Sequence, residues 1–419
     1  MEKFIIKGGF PLKGKLKVSG AKNAALPIMA ACLLTEGKFY LENVPCLIDI
    51  LAMSRVLERL GTKVIRENGI LKIDSGELSY NEAPYDLAKL VRTSILVLGP
   101  LLARQRKTRV FLPGGCDIGK RPINLHLKGL EQLGAKIEVR DGYIEAHAKR
   151  NLCGSNIYLD VPSVGATQNL MFAATLAKGM TLIKNASCTP ETVDTAIFLK
   201  KMGAKIEGEG TKLIKIEGVK ELHSTKHSII PDRAEAGTLI MAAIITKGEV
   251  ILEQVYPEHL EIILSKSREM GADTKVSNQR IRVKGGSILK PIKVKTLPYP
   301  GFSTDLQPQI SALACLAQGT SFITETIWRR RFTHVPGLRK MGAQIKEKES
   351  GIEIKGVSSL RGTSVIAPDI RGGAALILAG LTARGVTEVN EIHHVDRGYE
   401  RLKEKLCKLG AKIERRSIQ

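Results

Sequence analysis

Apolar positions along the chain fall into two alternating kinds of segment. One kind is apolar nearly all round, as in Ala24–Leu34, Gly237–Thr246 and Ala374–Ala383, and predicts buried helices. The other carries apolar residues at i, i+3, i+4 and i+7, as at Met53, Val56, Leu57 and Leu60, and predicts amphipathic helices with one face on a core. Each amphipathic stretch ends in a hydrophobic–Gly–small–polar phrase, at Gly61, Gly134, Gly203, Gly271, Gly342 and Gly410, at intervals of 68 to 73 residues. A second phrase interleaves with it, an apolar helix ending in glycine before a strand, at Gly37, Gly179, Gly248, Gly319 and Gly385. The second unit has only a degraded version, RQRKTRVFL, from Arg104 to Leu112. Glycine just past a helix predicts a left-handed cap, and Thr189-Pro190 predicts a capped helix start. Alternation in Ile214–Gly218 and Gly351–Lys355 predicts short strand pairs. Each unit therefore reads as apolar helix, strand, loop, amphipathic helix, glycine cap and two short strands. A period near 70 is too long for the common solenoids, so six such units in 419 residues predict an α/β protein of two three-unit globular domains. The midpoint, near Ile229–Asp232, marks the change of domain, and no Pro/Gly/Ser-rich linker interrupts the pattern.

Placing the units in register concentrates charge at two recurring points. The first is the start of the apolar helix, where successive units carry Lys22, Arg92, Gly165 (in SVGAT), Arg233, Asp305 and Arg371. The second is the loop that feeds the amphipathic helix, which carries Arg121, Arg331 and Arg397. Helix N-termini present unpaired N–H groups and a positive dipole end, and basic side chains add charge-assisted bonds to phosphate or carboxylate. Cations repeated at equivalent points predict a convergent anion site.

Composition agrees without naming the anion. The formal charge of +22 suits phosphorylated ligands or nucleic acid, but aromatics are only 4% of residues, few for stacking on bases. The longest apolar runs, Ala25–Leu34 and Gly372–Leu381, fall short of the roughly 18 residues that cross a bilayer. Met1–Lys7 alternates like a strand and lacks a signal-peptide core. Seven scattered cysteines without a CxxC pair predict reduced thiols and a cytosolic setting. The eight histidines have no metal spacing, and no phosphate-binding glycine loop follows a strand, so neither a metal nor a cofactor is expected. His393-His394 reads as surface, and no feature specifies an oligomeric state.

Leu112–Pro122, LPGGCDIGKRP, is loop chemistry able to move as a lid. Its Cys116 lies among Lys120, Arg121 and backbone amides, which lower a thiol pKa, while Asp117 opposes them. A thiol near neutrality serves as general acid or nucleophile. Asp305 is a carboxylate where other units place cations, which makes it either a base that stays ionised among arginines or a helix N-cap.

With these residues in view, the chain resembles the enolpyruvyl transferases, in particular the branch acting on UDP-N-acetylglucosamine. The resemblance spans essentially the whole length, through SGAKNAALP (Ser19–Pro27), LPGGC-IG-RP (Leu112–Pro122), SVGAT (Ser163–Thr167), PDR-E-GT (Pro231–Thr238), TETI---RF-HVP (Thr324–Pro336) and VDRGYERL (Val395–Leu402). It implies a two-domain inside-out α/β barrel of six βαβαββ repeats, with residues 22–230 in one domain and 1–21 plus 231–419 in the other. It also implies that the 3′-hydroxyl of UDP-N-acetylglucosamine adds to C2 of phosphoenolpyruvate, C3 is protonated, and phosphate leaves the tetrahedral ketal. Cys116 matches the family's proton donor and fosfomycin target, and Asp305 its proposed base; Lys22 and Arg397 complete the catalytic set. Lys22, Asn23, Arg121, Arg331, Arg371 and Arg397 match the phosphoenolpyruvate cluster. Arg92, Arg121, Pro122, Ile123, Asn124, Leu125, Ser163, Val164, Gly165, Asp305 and Ile327 match the UDP-sugar side. Asn124 stands where the family commonly has aspartate, and its amide oxygen still accepts from a uracil N–H; Val161 stands where some members have a basic residue. A shikimate-3-phosphate enzyme, an RNA 3′-phosphate cyclase and a catalytically silent paralogue are the competing readings. LPGGC argues against the first, low aromatic content against the second, and joint retention of Lys22, Cys116, Asp305 and Arg397 against the third.

Overall fold

The computed structural model describes residues 2–78, 92–112, 123–140 and 142–417. Their contacts divide the chain between Ser19 and Gly20 and again between Ile230 and Pro231, so that residues 20–230 form one unit and residues 2–19 with 231–417 the other. Each unit buries its own hydrophobic cluster.

The core of each unit is made of largely buried helices, most of them apolar on nearly every side. They are Lys22–Ala31, Leu98–Gln105 and Val164–Thr175 in one unit, and Arg233–Ile245, Gln307–Ala314 and Ile370–Thr382 in the other. Every residue of Arg233–Ile245 except Arg233 is buried, which leaves no polar face for water. In the second unit all three helices pack on one another. In the first, Leu98–Gln105 packs on Val164–Thr175 and on the 3-10 turn Cys32–Leu34 that ends Lys22–Ala31. Helices begin a few residues before the apolar runs, because Lys22, Arg233 and Arg371 occupy their first turns.

Sheets lie outside the helices. Among the described residues there are six, five of four strands and one of three. Gly37–Glu42 shows the common order: it pairs in parallel with Lys226–Ser228 and antiparallel with Ile70–Ser75, which pairs with Lys63–Glu67. The expectation of two strands after every glycine cap fails in the sixth repeat. There only Lys412–Ser417 follows the cap, and Glu2–Lys7 takes the missing place, antiparallel to both Val386–Asn390 and Lys412–Ser417. Lys13–Lys17 adds in parallel to Glu249–Glu253, so the first residues complete two sheets of the later unit.

The amphipathic helices end as their glycines require: Gly61, Gly134, Gly203, Gly271, Gly342 and Gly410 all have φ between 94° and 105°. The apolar helix of the second repeat, Leu98–Gln105, which lacks the glycine of the second phrase, ends on Arg106 in the left-handed conformation, with φ 62°. Thr189 does not cap by its side chain; its hydroxyl pairs with Thr192 Oγ1 at 3.0 Å, while Pro190 is the first helical residue. Caps occur instead at Ser163, Asp232 and Asp369, each at the start of an apolar helix. Among the described residues no helix is long and apolar enough to cross a membrane.

Candidate active site

The candidate residues at the first recurring point fall at helix starts. Lys22 and Arg233 are first residues of their helices, Arg371 and Gly165 second residues, and Arg92 and Asp305 lie in 3-10 turns leading into theirs. Arg331 precedes Val335–Lys340, and Arg397 lies between the helices His393–Asp396 and Leu402–Lys408. Cys116, Arg121 and Pro122 lie outside the described residues.

In the unit formed by 2–19 and 231–417, Asp305, Arg331 and Arg371 come together. The N-cap of the turn Thr304–Leu306 is Ser303, whose Oγ accepts from Asp305 N at 3.2 Å, so the capping alternative for Asp305 does not hold. Its carboxylate is free to meet two guanidinium groups: Oδ1 accepts from Arg331 Nη1 at 2.7 Å and Oδ2 from Arg371 Nη2 at 3.0 Å. Both arginine side chains are 5% exposed, against 26% for Asp305. Burial pushes the Asp305 carboxyl up, but the charges of Arg371 and Arg331 and their hydrogen bonds outweigh it and hold it well below the usual carboxylate range. Two guanidinium groups meet one carboxylate here, with Asp232 and Asp369 also within electrostatic reach of them, and Arg331 Nε, which has no hydrogen-bond partner among the described residues, is a donor left to seat an anion.

Arg371 is aimed from both ends. Asp369 caps its helix, accepting from Arg371 N at 2.9 Å and Gly372 N at 3.0 Å, and is itself held by Thr333 Oγ1 at 2.6 Å. The guanidinium lies 5.1 Å over the Tyr399 ring. The Tyr399 hydroxyl is fixed in the core by Thr238 Oγ1 at 3.0 Å and Gln309 Nε2 at 2.9 Å. Ile327 is 36% exposed in the loop after strand Thr320–Thr324.

In the unit formed by 20–230, Lys22 is nearly buried and pairs with Asp49 Oδ2 at 3.0 Å, while the adjacent Asn23 is exposed. Asp49 lies in the first turn of Ile48–Arg59 and gave no sequence signal, since acidic residues are ordinary there. A second grouping joins Ile123, Asn124 and Leu125, at the start of Asn124–Gln132, to Ser163, Val164 and Gly165. A β-carbon at Gly165 would stand 3.2 Å from His126 Cε1, so glycine lets the two helix starts approach. His126 is buried and was not singled out by the sequence. Asn169 Oδ1 accepts from Gly99 N at 2.7 Å while its Nδ2 donates to Ile95 O at 2.9 Å and faces His126 Nδ1 at 3.0 Å. The amide orientation makes Nδ1 the acceptor and leaves the ring proton on Nε2, toward Gly165.

Burial lowers the pKa of His126, and of His334 in the other unit, to about 4. Unfolded imidazoles take up protons from about pH 6.5 downward, whereas these accept them only near pH 4. Stability is therefore full above pH 6.5 and falls toward pH 4, by up to about 3 kcal/mol per histidine. Urea unfolding at pH 7 and pH 4.5 should show the loss, and His126→Asn should shrink it.

Among the described residues no group of three or more His, Cys, Asp or Glu is placed to hold a metal ion.

The family model that matches, residues 6–406, is EPSP synthase (3-phosphoshikimate 1-carboxyvinyltransferase). The chain is 54% identical over 417 residues to UDP-N-acetylglucosamine 1-carboxyvinyltransferase 2 of Carboxydothermus hydrogenoformans, covering 99% of each. It is 50% identical over 414 residues to UDP-N-acetylglucosamine 1-carboxyvinyltransferase 1 of Caldanaerobacter subterraneus subsp. tengcongensis, again covering 99% of each. In fold it is similar to the enolpyruvyl transferase NikO from Streptomyces tendae, with TM-score 0.90 at 24% identity, over 100% of this chain and 99% of that one. EPSP synthase from Acinetobacter baumannii follows, with TM-score 0.79 at 22% identity and full coverage of both chains.

Proposed function

The chain belongs to the EPSP synthase family and, within it, to the UDP-N-acetylglucosamine 1-carboxyvinyltransferases, and we propose which of its residues perform that reaction. The protein transfers the enolpyruvyl group of phosphoenolpyruvate to the 3′-hydroxyl of UDP-N-acetylglucosamine and releases phosphate, the first committed step of peptidoglycan synthesis. The clasp of Asp305 by Arg331 and Arg371 carries the assignment: it joins a carboxylate able to take a hydroxyl proton to cations able to hold an anion.

Asp305 takes the 3′-hydroxyl proton as the oxygen bonds to C2, and Cys116 delivers a proton to C3. The C2–phosphate bond then breaks and a proton leaves C3, restoring the double bond. Arg331, Arg371, Arg397, Arg121, Lys22 and Asn23 hold the phosphate and carboxylate of phosphoenolpyruvate and stabilise charge moving onto the leaving group. Asp49 orients Lys22. Arg92, the segment 121–125, Ser163–Gly165 and Ile327 receive the UDP-sugar. The cytoplasm is the site of action, in keeping with six described cysteines that form no disulfide with one another.

Mass analysis of the UDP-sugar after incubation with phosphoenolpyruvate tests the activity: gain of one enolpyruvyl group is expected. The residue assignment is tested by Arg397→Ala. It should raise the KM for phosphoenolpyruvate by roughly 10- to 100-fold, the loss of one charge-assisted contact, and change UDP-sugar affinity less than about threefold. Equal losses for both substrates would contradict the assignment.

A further inference from the structure

We propose that Glu325 is a positioning residue for the reaction, setting the geometry of Arg331 and Asp305 through Thr304 and that of Ile327 through its backbone. The inference rests on the roles assigned above to Asp305, Arg331 and Ile327.

Glu325 follows the strand Thr320–Thr324 and is 1% exposed. Its backbone N–H donates to Ser350 O at 3.0 Å, which ties the segment to the neighbouring hairpin. Its carboxylate gathers three stretches of chain. Oε1 accepts from Thr296 Oγ1 at 2.7 Å, Ile327 N at 2.8 Å and Trp328 N at 3.0 Å. Oε2 accepts from Thr304 Oγ1 at 2.8 Å. Thr304 Oγ1 in turn accepts from Arg331 Nη1 at 3.2 Å, so its own proton is the one given to Glu325. A continuous relay results: Glu325 orients the Thr304 hydroxyl, Thr304 and Asp305 share Arg331 Nη1, and Asp305 also takes Arg371. Four donors converging on one buried side chain demand an acceptor at both oxygens, which only a carboxylate provides. A carboxylate so enclosed does not reach substrate; its effect passes through the residues it holds.

Glutamine separates the two arms. Its NH2 cannot face the N–H groups of Ile327 and Trp328, so its oxygen keeps them and its nitrogen turns to Thr304 Oγ1. That hydroxyl would then face two donors while its own proton loses the Glu325 acceptor, so it is no longer oriented toward Arg331. Glu325→Gln should therefore lower kcat about 10- to 100-fold, the worth of a hydrogen bond to a charged group, and leave the KM for UDP-N-acetylglucosamine within about threefold. Thr304→Val cuts the same arm and should reproduce the kcat loss. Because both act through one chain of contacts, the double variant should be no more than about threefold worse than either single. Glu325→Ala also frees Ile327 and should raise the UDP-sugar KM roughly tenfold. The steady-state constants are to be compared with thermal melts of the same samples. Folded Glu325→Gln with wild-type kcat, or losses that multiply in the double variant, would overturn the role, as would a lower melting temperature with unchanged constants. A wild-type chain without turnover would instead overturn the functional reading and this role with it.

Discussion

Alanine or asparagine at Asp305 is expected to lower kcat by roughly 10²- to 10⁴-fold, the usual contribution of a positioned general base. Asparagine keeps the shape and one acceptor oxygen but cannot take a proton, so it isolates the chemistry. Two buried guanidinium groups left without their carboxylate also destabilise the fold. The cost should be about 2–3 kcal/mol, less than the roughly 3–5 of a fully buried pair because Asp305 is 26% exposed. Affinity for phosphoenolpyruvate should hold or tighten, since an incoming anion no longer competes with the carboxylate for Arg331 and Arg371. That competition also suggests how a carboxylate of low proton affinity becomes a working base. An anion engaging the two arginines weakens their hold on Asp305, and its proton affinity rises when substrate is in place. In the free protein Asp305 stays ionised through the ordinary carboxylate range. Its depressed pKa contributes stability that is present above about pH 3.9 and lost only as pH falls further. Asp305→Asn retaining a third or more of wild-type kcat would contradict the base assignment.

Fosfomycin is expected to add once per chain, at Cys116, and to abolish turnover. The thiolate opens the epoxide, one S–C bond forming as one C–O bond breaks, while the phosphonate occupies the anion seat. The other cysteines supply the controls. Burial pushes the Cys315 thiol up to about 12 and raises those of Cys32 and Cys188. Cys46 and Cys153 are exposed, so mere accessibility would label them. Peptide mass mapping should find the adduct on Cys116 alone, and none in Cys116→Ala. That variant should also lose about 10²-fold or more in kcat as the proton donor is removed. Adducts on Cys46 or Cys153 at a comparable rate would show exposure, not the site, to be the cause.

The repeat was the legible part of this molecule because its signals are local. A glycine at a left-handed cap and an apolar helix without a polar face are dictated by a few neighbouring residues, and so Gly61 through Gly410 could be read directly. The starts of the apolar helices were legible for the same reason, which is why Lys22, Arg371 and Asp305 emerged from register. Tertiary partners were not legible. Glu2–Lys7 pairs with residues almost the whole chain away, and nothing local marks that choice. Asp49, His126 and Glu325 matter through contacts with Lys22, Asn169 and Thr304, each far outside the range of any helix or strand period. Thr189 shows the converse: a good local cap signal lost to competing hydroxyls, while Asp232 and Asp369, which had not been read as caps, cap the helices whose starts the register had marked.

Enolpyruvyl transfer requires this chain to couple the two substrates. Phosphate release should be followed with phosphoenolpyruvate alone, with UDP-N-acetylglucosamine alone, and with both. Sustained release is expected only with both, one phosphate for each UDP-sugar that gains an enolpyruvyl group. Folded protein that releases none, or that releases phosphate just as fast without the UDP-sugar, would contradict it.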